Sequence, residues 1–341
     1  MHFIDLQNDI AAQVGALTMH CQDNHEAEYL RRLFQLRQRA QAHEVKADRT
    51  GTGRHSIFGG YIRHDTGHYG PAFYQTKKVH VPSIFGELRW MLSGSTSVKP
   101  LQAEGIRIWN EWADAQGELG RVYGAQWRDT RNWVESNDSE SDQRYERGAD
   151  IDQIHAMLQT ALERPADSGN IVSAWNVAEL NQMALRPCHT LWQICIQDGK
   201  LDLMLYQRSA DWFLGVPFNA AFYTTLQAMF AEMLGLQPGV FHHYFGDTHL
   251  YANQLDVADE HLSRLINPID GRLPCPLAWH TGWDGQQHPE ALQLEFHNLP
   301  DLKTAGKVPA SPWLLRDLQI DDIQLLNYSP APAIKAPNAA V

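Results

Sequence analysis

RPCHTLWQICIQDGKLDLMLYQRSADWFLGVPFN, residues 186–219, is the stretch on which the fold turns. Thr190 to Gln197 and Lys200 to Gln207 are two apolar, β-prone runs of strand length joined by Asp198-Gly199. That dipeptide favours a two-residue hairpin, because both central residues must accept positive φ. Cys188 stands just before the first strand and Arg208-Ser209 just after the second. Antiparallel pairing therefore brings a thiol and a guanidinium to one end of the hairpin. A guanidinium beside a thiol favours the thiolate, the nucleophilic form. A lone cysteine is also a common small buried hydrophobe, and the residues alone leave both readings standing.

Downstream, Phe218, Phe222, Leu226, Phe230 and Met233 recur at helical spacing up to Gly235. This predicts a central buried helix with Asn219 in its first turn, its amide facing a pocket. Val240 to Phe245 reads as a strand leading to Gly246-Asp247, after which His249 and Tyr251 alternate onto one face. The adjacent His242 and His243 do not read as a metal pair, since neighbouring strand side chains point oppositely.

Upstream, Asp23 followed by Glu26 resembles a capping box opening a helix with Leu30, Leu33 and Phe34 on one face. The apolar patch Ala11 to Met19 before it is read as a docking segment or a loose tail. DRTGTG (48–53) is a loop carrying Arg49. Ser83 to Leu92 predicts a short helix closed by Gly94, with Glu87 on the apolar stripe of Ile84, Leu88 and Met91. A carboxylate there is desolvated and its pKa raised, which suits proton transfer near neutrality, although a glutamate at a helix edge commonly snorkels to water. Trp109, Trp112, Tyr123, Gln126 and Trp127 form an aromatic-rich run. The polar segment from about 129 to 150 reads as a surface insertion, followed by a helix from Ile151 to about Leu162 and a buried strand at IVSAWNV (171–177). From about 256 to 330 local signals are weak.

The chain has 341 residues and a net charge of −12, with no apolar run of transmembrane length. The acidic balance argues against binding duplex DNA, while a small basic pocket for an anion stays compatible with it. Cys21, Cys188, Cys195 and Cys275 lack metal-type spacing and are too few for a disulfide scaffold, so a reducing compartment is expected. The N-terminus, with Asp5 and Asp9 and no basic stretch, does not read as a signal peptide.

PCH with QRSADWFLGVPFNAAFY resembles the active-site core of the thymidylate synthase family, the folate-dependent kind. The resemblance extends through DRTGTG, TKKVH (76–80), ELRWML (87–92), IWNEWAD (108–114), VYGAQWR (122–128), IVSAWNV, GDTHLYANQ (246–254) and the terminal IKAP. It covers nearly the whole chain from about Tyr29 to Val341. It implies an α/β (α+β) fold: one catalytic domain over 26–341, after an extension of 1–25, with a twisted mixed sheet packed back-to-back in a homodimer. It also implies cytoplasmic, metal-free reductive methylation of dUMP by 5,10-methylenetetrahydrofolate. By resemblance, Cys188, Glu87, Tyr123 and Arg208 are catalytic. Arg49, Gln207, Arg208, Ser209, Ala210, Asp211, Asn219, His249 and Tyr251 bind the nucleotide. His80, Trp109, Asp211 and Ala340, with Val341, close over the folate. An amide at Asn219 matches the carbonyl and N–H of uracil, whereas a carboxylate would prefer the cytosine amino group.

Two departures stand out. The family's pair of phosphate-binding arginines, donated by the other subunit, falls on Ser168 and Gly169, and Pro82 replaces a basic residue. The alternatives are a pyrimidine nucleotide hydroxymethylase, a uridine-nucleotide methylase with altered phosphate recognition, or a catalytically silent relative.

Overall fold

A single mixed sheet organises the molecule. The computed structural model describes residues 3–48, 50–135, 145–267, 292–309, 315 and 317–337. Two helices come first, α1 (Phe3–His20) and α2 (His25–Ala42), then strand β1 (Arg54–Asp65) and helix α3 (Val81–Leu92). Helix α4 (Gln153–Glu163), strand β2 (Ile171–Ser173), strands β3 (His189–Gln197) and β4 (Lys200–Asp211), helix α5 (Gly215–Met233), strand β5 (Gln237–Tyr251) and helix α6 (Leu255–Ser263) follow. The sheet runs β1-β5-β4-β3-β2. Only the β4–β5 pair is parallel, because α5 carries the chain across between them. The expected α/β architecture with a mixed sheet is the one observed.

The β3–β4 hairpin closes at Gln197↔Lys200, with Asp198 and Gly199 at φ 51° and 74°, as a primed two-residue turn requires. α5 is buried on nearly all sides, with Phe222, Leu226, Met229 and Phe230 inaccessible to solvent. Each such side chain contributes roughly 1.5–3 kcal/mol relative to exposure. The helix opens at Gly215, so Asn219 lies a full turn in rather than in the first turn.

Several expectations are corrected. The cap of α2 is Asn24, whose Oδ1 accepts from the backbone N–H of Glu26 and Ala27 at 3.0 and 3.2 Å; Asp23 adopts φ 63° outside the helix. Glu26 instead turns inward and accepts from Gln75 N, Thr76 N and Thr76 Oγ1. IVSAWNV supplies only a three-residue edge strand, with Ile171 exposed and Val172 buried. Of the two readings of the apolar patch near the N-terminus, the docking segment is the one observed, as helix α1 buries Ile10, Val14 and Leu17. Part of the polar segment near 129–150 forms a short hairpin, Trp133–Glu135 with Tyr145–Arg147, and its remainder from 136 to 144 lies outside the described residues. β5 runs unbroken through Gly246, where a Cβ would come 2.6 Å from the Arg208 carbonyl oxygen. Glycine there lets β5 lie close against the active end of β4. No helix among the described residues is long and apolar enough to cross a membrane.

Candidate active site

The hairpin delivers what its sequence promises. Arg208 N donates to Cys188 O at 2.9 Å, so strand pairing continues to the cysteine. The half-buried Cys188 has its sulfur 4.0 Å from Arg208 Nη2. Arg208 Nε and Nη2 also donate to the carbonyls of Pro187 and Arg186 at 2.8 and 2.7 Å, and the guanidinium lies 5.5 Å from the Trp175 ring centre. These contacts hold the cation beside the thiol. From the other side, Cys188 N donates to Tyr123 Oη at 2.8 Å.

Tyr123 is held firmly. Its φ of 28° is rarely adopted by a residue with a side chain. The following Gly124 packs so tightly on α3 that a Cβ would lie 2.1 Å from Met91 O. Such backbone geometry persists only where its surroundings enforce it.

Across this space stands Glu87 on α3, buried on the stripe predicted for it. Trp109 Nε1 donates to Glu87 Oε1 at 2.7 Å. Burial pushes the carboxyl up to about 7, outweighing the Trp109 bond, which pulls it down. Burial likewise raises the hydroxyls of Tyr123 and Tyr223 well above the ordinary tyrosine range, with Cys188 adding to the first and Glu87 to the second. Thiol, carboxyl and two phenols therefore share one compartment, with the thiol at its solvent-facing side. Sequence reasoning missed Tyr223 because it reads as one more core aromatic on α5. His189 packs its ring between Tyr123 and Tyr223 at 5.5 and 5.2 Å. Burial pulls it down to about 4, against a side-chain hydrogen bond to Asn219 that raises it. It is neutral at pH 7 and a poor base, which argues against a Cys-His hydrolase.

The floor comes from β4, α5 and β5. Gln207 Nε2 donates to Asn219 Oδ1 at 3.0 Å. Ser209 pairs with Asp247 and Asp211 with His249 in the β4–β5 register, which places all four on one face. Ala210, between them, is buried toward the opposite side. Asp211 accepts from Phe213 N and Leu214 N at 3.0 Å each, and from Gln254 Nε2 at 3.2 Å. His249 and Tyr251 lie ring to ring at 5.0 Å. His80 precedes α3, its Nδ1 2.7 Å from Ser83 Oγ, and Trp109 packs against Trp112 at 5.5 Å. His242 and His243 point oppositely, His243 buried and His242 bonded to Tyr61 Oη on the other face. Among the described residues no group of three or more His, Cys, Asp or Glu is arranged around a metal position.

Arg49 and Ala340 lie outside the described residues. Ser168 and Gly169 are exposed in the turn before β2. Arg54, opposite Tyr251 in the β1–β5 register, forms a 2.7 Å ion pair with Asp247, on the same edge of the site as His249. Its only sequence signal is a basic residue directly after DRTGTG.

The thymidylate synthase family model matches residues 28–272, which include every site residue named above except the C-terminal Ala340 and Val341. A curated relative, a thymidylate synthase of Corynebacterium aurimucosum, is 41% identical over 291 residues, 85% of this chain and 90% of the relative. A cysteine flanked by arginine and tyrosine, a buried glutamate opposite it and an amide floor thus sit inside a matched domain. The chain belongs to the thymidylate synthase family.

Proposed function

We propose that Cys188 carries out the reductive methylation of dUMP to dTMP by transient covalent addition to the uracil ring. As a member of its family the chain is a methyltransferase, and dTMP formation is its reaction. The observation that carries the residue-level reading is the thiol 4.0 Å from Arg208 in the compartment that holds a buried Glu87.

Carbon 5 of uracil is a weak nucleophile until a thiolate adds at carbon 6. The new C–S bond pushes the ring's electron pair toward the carbonyl at carbon 4, where the Asn219 amide is suited to donate to the enolate oxygen. Carbon 5 then accepts the one-carbon unit and must lose its proton. Glu87, with a pKa near the working pH, and the Tyr123 hydroxyl are placed to pass it on. Loss of that proton releases the folate nitrogen and leaves an exocyclic methylene, and hydride addition to it forms the methyl group, restores the ring double bond and expels Cys188 as thiolate. 5,10-Methylenetetrahydrofolate is the donor that supplies both carbon and hydride. Trp109 and Trp112, whose buried Nε1 has no partner among the described residues, fit the flank of a flat heteroaromatic ring. Asp211 and His80 are assigned to its polar edge. Ser209, His249 and Tyr251 are assigned to phosphate and ribose. A cytoplasmic setting fits a thiol that must stay reduced.

The homodimer is part of the same proposal. Tyr61, Tyr244 and Tyr206 are cross-strand partners in one row, 42%, 43% and 37% exposed, on the face turned from α5. An aromatic row of this kind suits burial against a second sheet.

Incubating the protein with dUMP and 5,10-methylenetetrahydrofolate tests the function. dTMP with dihydrofolate is expected by mass. A 5-hydroxymethyl product would favour the hydroxymethylase, which a relative named thymidylate synthase does not support.

The bare turn at Ser168-Gly169 leads to a kinetic prediction. Arg208 already donates to two carbonyls, and Arg54 is paired with Asp247. The KM for dUMP should therefore rise clearly with ionic strength. Ser168→Arg with Gly169→Arg should lower it about tenfold, after discounting exposed contacts of roughly 1.5–3 kcal/mol each. A salt-insensitive KM that the double substitution leaves unchanged would mean that another cation completes the site.

A further inference from the structure

Beneath Asn219 runs a buried chain of polar side chains that the chemistry above does not use. Tyr74 Oη lies 2.7 Å from His25 Nδ1, and His25 Nε2 lies 3.1 Å from His243 Nδ1. His243 Nε2 lies 2.8 Å from Gln207 Oε1, and Gln207 Nε2 lies 3.0 Å from Asn219 Oδ1. Tyr74, His25 and His243 are wholly buried, and Gln207 is 2% exposed.

Two histidines in contact usually leave the hydrogens undetermined, since either ring nitrogen donates or accepts. Here one neighbour decides. Gln207 Nε2 also meets the backbone oxygen of Ser209 at 3.1 Å, and that oxygen can only accept. The Gln207 amino group must face Ser209, so its Oε1 faces His243. His243 Nε2 therefore carries the hydrogen. His243 is neutral, because burial, then His25 and His189, press its pKa well below the ordinary value. Its Nδ1 is an acceptor, and His25 Nε2 must donate to it. Burial, then His64, keeps His25 neutral as well. Its Nδ1 takes the Tyr74 hydroxyl hydrogen, and every bond from Tyr74 to Asn219 points one way.

We propose that His243, backed by His25 and Tyr74, is a positioning residue for base selection: it locks the Gln207 amide, and Gln207 locks the Asn219 amide in the orientation that reads uracil. The inference rests on the reading that Asn219 meets the base. With Oδ1 turned to Gln207 and shared with His189, Asn219 keeps its amino group for the uracil carbonyl and Oδ1 as the acceptor for the ring N–H. Cytosine presents an amino group and a bare nitrogen at those places, and needs the amide reversed. Reversing Asn219 alone opposes its amino group to that of Gln207. Reversing both opposes Gln207 Oε1 to the Ser209 oxygen and its amino group to His243 Nε2–H. Each route sets like groups against each other in a dry site, where the mismatch is most costly. His25 precedes the family-matched stretch, which begins at residue 28, so the N-terminal segment contributes directly to the lock.

The test is the ratio of dissociation constants for dCMP and dUMP, measured by calorimetry, with kcat/KM for dUMP alongside. In His243→Phe, which keeps an aromatic ring between Phe241 and Phe245 but donates nothing to Gln207, the ratio should fall by at least about tenfold. His243→Gln, which can donate to Gln207 and accept from His25, should restore most of it. A general packing defect would weaken both ligands alike and would not be rescued by the smaller amide. A folded His243→Phe whose ratio stays within about twofold of wild type overturns the proposal. Should that variant not fold, nitrogen-15 labelling of wild-type histidines decides. Both His25 and His243 are expected as neutral Nε2–H tautomers, and an Nδ1–H tautomer at His243 overturns the lock. An Asn219→Asp variant with an unchanged ratio would overturn the base-reading role of Asn219, and the inference with it.

Discussion

Cys188→Ala is expected to lower kcat by about 10⁴-fold or more, because no neighbouring group can supply the covalent step. The fold should hold. Cys188 sits half-buried at the entry of β3, so removing its sulfur leaves a small void and shifts stability by about 1 kcal/mol or less. The backbone bonds from Cys188 N to Tyr123 and from Arg208 to Cys188 O do not involve the side chain and should survive. Thermal unfolding checks the fold, and single-turnover product formation checks the chemistry. Turnover above a few per cent of wild type would remove Cys188 from the mechanism.

Glu87→Gln is expected to separate activity from stability. With the proton-passing group gone, kcat should fall about 10²–10⁴-fold, and the limb of the pH–rate profile near 7 should disappear. Stability should move the other way. The unfolded carboxyl ionises near 4.5, whereas burial in the fold holds it protonated to about 7. The folded state thus binds the proton more tightly. The stability associated with that proton is fully present below 4.5 and is lost as pH rises through about 7. Glutamine cannot ionise, and its Oε1 can still accept from Trp109. The variant should match wild type at low pH and exceed it by up to a few kcal/mol at pH 8, in denaturant titrations at both values. Equal stability of the two proteins at pH 8 would show that Glu87 ionises freely and is solvated.

What the sequence made legible was local. Asp198-Gly199 specifies its own turn, and a two-residue turn sets the register that carries Cys188 to Arg208. The helical repeat from Phe218 to Met233 identifies the buried α5 because it needs no partner to be recognised. Glu87 falls on the buried face of α3 for the same reason. Contacts between distant segments were not legible. Glu26 reads as a capping residue, yet it serves Gln75 and Thr76, which fold back over the start of α2. The seven residues of IVSAWNV read as a buried strand, but at the edge of the sheet only the first three of them form strand pairs. β1 carries glycines and polar residues among its apolar ones and pairs along its length with a strand nearly 200 residues away, so no local pattern announces it. His25 and His243 meet only because α2 packs on β5, and their separation hides the relay from any reading of either segment.

The central claim is the covalent bond between Cys188 and carbon 6 of the base. It is tested most directly with 5-fluoro-dUMP, whose fluorine cannot leave as a proton does, so that the sequence stalls after the one-carbon unit is attached. Wild-type protein mixed with 5-fluoro-dUMP and 5,10-methylenetetrahydrofolate, then denatured and weighed intact, should gain the mass of both ligands. Digestion should place that mass on the peptide holding Cys188. No stable mass gain, or one that maps to Cys195 or persists in Cys188→Ala, would contradict the account.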